Sequence, residues 1–216
     1  MKNNEHNLPD VSLEYSLDNG NTWNLYDFYE GEPEGEFIYL NNIGDTVKFR
    51  GENESFALDI NSEPGWYYFG INGSVRCDGH ITSIFNNVGG DYPLTDYACE
   101  HLFANCDSLV TAPELPSTTL GEYCYSEMFV GCNSLEKAPE LPATTLPNGC
   151  YYGMFSNCTS LRYIKAMFLD VSSYSTEQWV FGVSPTGTFV KNAEATWNVT
   201  GINGIPDGWT VETANS

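Results

Sequence analysis

Cysteines, histidines, a pair of glutamates and a set of tyrosines are the side chains of this chain whose types and spacing suit chemistry. Cys106, Cys132 and Cys158 recur every 26 residues, and so do Cys124 and Cys150, whose column Ala98 continues. Thiols so placed suit disulfides, a metal site or small buried core positions. Three thiols in one column cannot all pair, and the total of seven leaves one over. Ala98 shows that a small apolar group satisfies the second column, and the close Cys-Cys pairs of a zinc site are missing. Stacked core thiols are therefore expected, with disulfides and metal as the competing readings. Of the three histidines, His6 and His80 stand apart, and His101 holds a place taken later by Glu127 and Gly153. None forms the base of a nucleophile–base–acid set. Glu114 and Glu140, also 26 apart, put like charges on neighbouring copies. They either splay into water or share a cation such as Ca²⁺. Together with Glu122 they are also the only basis for a glycan hydrolase, but their recurrence argues for a structural cause. No catalytic residue, cofactor or metal is expected. Tyr97, Tyr123, Tyr125, Tyr151 and Tyr152 either pack between copies or offer an aromatic strip to a protein or sugar, and they are the candidate partner-binding residues.

The elements that would position these groups follow from the same period. Phe103, Phe129 and Phe155 share it, as do Leu109, Leu135 and Leu161. Pro113-Glu114-Leu115-Pro116 returns as Pro139-Glu140-Leu141-Pro142, and Thr118-Thr119-Leu120 as Thr144-Thr145-Leu146. Such self-similarity marks stacked units, none of which can bury its apolar face alone. Cys124, Met128, Phe129, Cys132 and Leu135 predict one face of a short helix. Asn105, Gly131 and Asn157 predict its left-handed end. A short strand such as 134–137 and a proline-shaped return would complete the unit. Residues about 80–96 read as a degenerate first copy, Ser173 to Val180 as a capped helix carrying Trp179, and the aromatic tail as a cap.

The first eighty residues show period-2 alternation at Val11, Leu13, Tyr15 and Leu17, a turn at Asp18-Asn19-Gly20, and a second strand at Val47 to Arg50. A hairpin is expected over Phe69 to Cys77, and a small β-sandwich overall. Glu30 to Glu36 reads as a solvated acidic loop. Ser16-Leu17-Asp18-Asn19-Gly20-Asn21-Thr22-Trp23 is similar to the Asp-box of sialidase propellers, where it shapes a turn away from the chemistry. A sialidase needs three converging arginines, whereas Arg50, Arg76 and Arg162 are scattered, so that activity is rejected. Eight Lys and Arg against 29 Asp and Glu leave a net charge of −21 at pH 7. That charge excludes nucleic acid as a partner and repels anionic lipid. At 14% aromatic residues the chain is too rich in rings for a disordered acidic tail. No apolar run suits a membrane span, and Met1 to Asn7 lacks the apolar stretch of a secretory signal.

The Phe-x-x-Cys-x-Ser-Leu core, the Leu-Pro-x-Thr-Thr-Leu return and the Gly204 to Val211 ending (Gly-Ile-Pro-Asp-Gly-Trp-Thr-Val) resemble the BspA-like leucine-rich repeats over residues about 80–211. These repeats are common in surface proteins of gut Bacteroides and relatives. The fold class implied is α+β: a β-sandwich-like domain over 1–79, a leucine-rich repeat solenoid over 80–168 and a C-terminal cap over 169–216. The resemblance implies adhesion, with a protein or glycan partner on a host or cell surface, or neighbouring virion subunits, and it carries over no functional residue. The polar start favours a virion decoration or attachment protein of a phage of gut Bacteroidetes. A bacterial cell-surface adhesin whose export signal is absent from this chain is the alternative, and a glycan-active enzyme is the alternative of another class.

Overall fold

The computed structural model describes residues 10–27, 37–57, 65–172 and 174–214, with the backbone of residues 2–3. The acidic loop over 30–36, His6 and Ser173 lie outside the described residues. Among the described residues, ten short strands and one short helix make up the regular structure: β1 Lys2–Asn3, β2 Leu13–Ser16, β3 Asn24–Leu25, β4 Lys48–Gly51, β5 Tyr67–Tyr68, β6 Val75–Arg76, α1 Ser83–Asn86, β7 Leu109–Thr111, β8 Tyr163–Ala166, β9 Thr188–Lys191 and β10 Thr210–Thr213. The expected α+β class is thereby overturned. A four-residue α1 is the only helix among the described residues, and the rest is small sheets and coil. The chain is β-rich, and a mixed α+β solenoid behind a sandwich does not describe it.

The reason lies in the segments read as helices. In residues 97–106, every second amide closes a turn three residues back: Glu100 to Tyr97, Leu102 to Cys99, Ala104 to His101, and Cys106 to Phe103. The alternating amides of Tyr97, Cys99, His101, Phe103 and Asn105 instead donate to carbonyls 25 residues ahead, from Glu122 to Val130. The pattern repeats over 123–132 and 149–158. An α-helix satisfies its interior donors internally. This ribbon keeps half of them for its neighbour, as a strand does. One residue in four takes a left-handed backbone to allow it: Tyr97, His101 and Asn105, then Tyr123, Glu127 and Gly131, then Gly149, Gly153 and Asn157. The four-residue spacing of Cys124, Met128 and Cys132 is therefore the period of a turn ribbon, close enough to 3.6 to imitate a helix. Residues 174–182 are likewise turns rather than the expected capped helix, and they receive amides from Tyr151, Gly153, Phe155 and Asn157.

Extended segments lie beside one another in parallel: β6 with β7, and β8–β9–β10 as a three-stranded sheet. The expected hairpin over Phe69 to Cys77 does not form, because β6 pairs with β7 instead. Phe69 stacks on Phe103 with centroids 5.1 Å apart, and Phe103–Phe129 and Phe129–Phe155 follow at 5.6 and 5.8 Å. Phe49 and Trp179 extend the column at its two ends. Equivalent positions lie 34 residues apart at Phe69/Phe103 and His80/Glu114, 26 apart from Leu94/Leu120 to Lys137/Tyr163, then 25 at Tyr163/Thr188 and 22 at Thr188/Thr210. The extra residues fall between His80 and Leu94, where α1 and the Gly89-Gly90 turn sit. Near the start, β3–β2–β4 form an antiparallel sheet, and α1 ends against it, with the Asn87 amide on the Gly51 carbonyl. A single hydrophobic cluster runs from Leu13 to Trp209. No helix among the described residues is long and apolar enough to cross a membrane.

Candidate binding face

The cysteines belong to the interior. All seven are free thiols, six of them buried and Cys77 half-buried. Cys106, Cys132 and Cys158 donate to the carbonyls of Phe69, Phe103 and Phe129 at 2.9, 3.1 and 3.0 Å, a ladder that binds each layer to the one before. Burial pushes the thiols up, Cys77 to about 11 and Cys158 to about 12, so they stay protonated and act as donors. No group of three or more His, Cys, Asp or Glu among the described residues is placed to hold a metal ion.

Glu114 and Glu140 are exposed to water, and each meets its own basic partner. His80 Nε2 lies 3.0 Å from Glu114, and His80 Nδ1 accepts the Gly90 amide, which places the imidazole proton on the Glu114 side. Lys165 Nζ lies 2.8 Å from Glu140. Both contacts are exposed and add little stability. Arg162 pairs with Glu136, Arg50 with Glu14, and Arg76 meets the Thr111 hydroxyl, so the three arginines stand apart. The Asp18 motif is a turn staple: its carboxylate accepts from the Ser16 hydroxyl and from the amide and hydroxyl of Thr22. These bonds hold Asp18 down at about 2, with the Thr22 hydroxyl contributing most.

The candidate tyrosines separate into two groups. Tyr125 and Tyr151 are 1% exposed and stack on each other inside the core, so neither can present a ring to a partner. Each stands two residues after a left-handed position, where the ribbon turns side chains inward, so the expected partner-binding role of Tyr125 and Tyr151 does not hold. Tyr97, Tyr123 and Tyr152 are half-buried on the outer side. The rings of Tyr97 and Tyr123 lie parallel within 3°, with centroids 5.4 Å apart. The next position in their column is Gly149, where a Cβ would come within 2.2 Å of the Tyr123 ring. The missing side chain seats that ring, and Asn148 Nδ2 reaches its hydroxyl at 3.3 Å.

Scanned against protein-family models, curated proteins and solved structures, the chain matches none. Beside the tyrosine pair, four residues along the ribbon, His101 stacks on Trp66 at 4.2 Å, and its Nδ1 lies 3.3 Å from Glu127 Oε2. Burial lowers His101 to about 4 and raises Glu127, so at neutral pH the imidazole is uncharged and donates from Nδ1. Burial also raises the Tyr152 hydroxyl, and Glu127, Glu177 and Tyr123 around it add to the effect. Sequence reasoning missed Trp66, His101 and Glu127 as parts of this face. The trace they leave is Gly153, whose place in their column betrays a left-handed, outward position.

Proposed function

We propose that the chain is a non-catalytic binding module that engages a protein or glycan partner through the face carrying Tyr97, Tyr123 and Tyr152. The observation that carries this reading is the parallel Tyr97–Tyr123 pair, half-exposed yet held flat by Gly149. Two rings fixed in advance lose little conformational entropy on binding, which is how tyrosine contributes at recognition surfaces. Attachment or decoration on the outside of a virion, or adhesion at a bacterial cell surface, is the setting that goes with it, on the strength of the repeat resemblance and the acidic composition. The test compares the intact chain with a Tyr97→Ala/Tyr123→Ala variant for adsorption to gut Bacteroidetes cells and to a glycan array. Loss of most binding with the melting temperature within a few degrees is the expected outcome. Equal binding by both proteins would contradict the assignment of the face.

A further inference from the structure

We infer that the outer edge of β10 is a docking site for an extended, basic segment of another protein, which adds to the sheet as its next strand. This surface is apart from the tyrosine face and does not rest on that reading. In the parallel sheet β8–β9–β10, β8 is continued on its far side by bridges from Lys137 to Tyr163 and from Leu141 to Ala166, whereas β10 is the last strand. Thr210 and Ala214 donate their amides to the carbonyls of Gly187 and Lys191. Backbone groups alternate sides along a strand, so those of Val211 and Thr213 face away from β9. Among the described residues, nothing bonds to them. All four residues of β10 are exposed. The strand, Thr-Val-Glu-Thr, also lacks the proline, lysine or bulge that usually protects an open edge.

The side chains say what fits there. Ile164, Phe189 and Val211 stand in one row across the sheet; the first two are fully buried, and Val211 is 47% exposed. An apolar row of the core therefore runs out uncovered at the edge, where a Val or Ile of an added strand would extend it. The next row ends in Glu212, which points to the opposite side of the strand. No cation among the described residues meets it. Lys191 on β9 reaches the Trp197 carbonyl at 3.1 Å and Asn198 at 3.3 Å instead. A strand that alternates an apolar residue with Lys or Arg satisfies both rows at once, and the net charge of −21 steers it in. A second copy of this chain fits poorly, because it would bring a second Glu212 and another −21 to the same edge.

Titration calorimetry on the full chain tests this with a capped octapeptide of alternating Val and Lys, and with the same peptide N-methylated at every backbone amide. The first peptide is expected to bind and the second, equal in charge but unable to donate to a ladder, is not. Thr213→Pro removes an outward amide and leaves the bonds to β9 and the net charge in place; it is expected to weaken binding at least about fivefold. Equal binding of the two peptides would mean attraction to net charge alone and would overturn the inference, as would no binding or equal binding by the variant. Sedimentation of the free chain as a dimer that Thr213→Pro abolishes would assign the edge to a second copy and would overturn the basic partner. Should Thr213→Pro fail to fold, Glu212→Gln compared with Glu54→Gln, at another exposed acid, decides. Each removes one charge, and only the first is expected to weaken binding by about threefold or more. Equal effects would overturn the inference.

Discussion

Phe129 lies between the rings of Phe103 and Phe155 with no exposed surface, so removing its ring leaves a hole that two rigid neighbours cannot fill. Phe129→Ala is expected to cost about 3–5 kcal/mol in denaturant unfolding, and a loss below about 1 kcal/mol would contradict its burial. His101 makes stability depend on pH. Burial lowers its folded value to about 4 from 6.5. The unfolded chain therefore takes up this proton first as pH falls, and the stabilisation is present above about 6.5 and lost between there and 4. Glu127, which faces it, is raised by burial and works in the opposite sense, its contribution declining as pH rises through its folded value. The loss from His101 is up to about 3 kcal/mol on the scale of 1.36 kcal/mol per unit. His101→Asn, which tolerates the left-handed backbone, should flatten melting temperature against pH between 4 and 6.5. An unchanged profile would refute the assignment. Recurring residues of this kind were legible in the sequence because identity at a fixed spacing exposes them. Phe69 and Trp66 were not, because the residues inserted around α1 break the spacing before Leu94.

The turn ribbon is the element most easily misread. Its inward pairs, such as Ala98-Cys99 and Leu102-Phe103, recur every four residues, and no apolar count separates that from an α-helix. What separates them is backbone sign. Gly131, Gly149 and Gly153 stand at left-handed positions, and each lies in a column with Asn, Tyr, His or Glu. Read as one set, they announce a turn at every fourth residue. Read one at a time, they suggest only a helix end, so Asn105, Gly131 and Asn157 point to the right backbone inside the wrong element. Gly149→Ala is expected to cost at least about 1–2 kcal/mol from the left-handed strain alone, and more from the Tyr123 ring 2.2 Å from the new Cβ. Thermal unfolding of that variant measures it, and a neutral substitution would show that Tyr123 does not rest there. The strands near the start were legible from alternation and the Asp18 turn. The hairpin expected over Phe69 to Cys77 failed because local pattern does not say which neighbour a strand will choose.

At the scale of the molecule, layers follow one another from Phe49 to Trp179 through one aromatic column, with one thiol ladder and parallel strands alongside. The acidic surface and the repeated unit could be read directly from composition and spacing. The class could not, because whether a ribbon bonds to itself or to its neighbour is decided by tertiary contact. The candidate site was half legible: tyrosines recur in each copy, but only burial separates Tyr97 and Tyr123 from Tyr125 and Tyr151. The central claim is that residues 26 apart lie directly upon one another. Aromatic NMR on the intact chain tests it: ring-to-ring Overhauser contacts are expected for Phe103–Phe129 and Phe129–Phe155, which are 5.6 and 5.8 Å apart, and none for Phe103–Phe155. Absence of both neighbouring contacts, with the rings found in unrelated surroundings, would contradict the account.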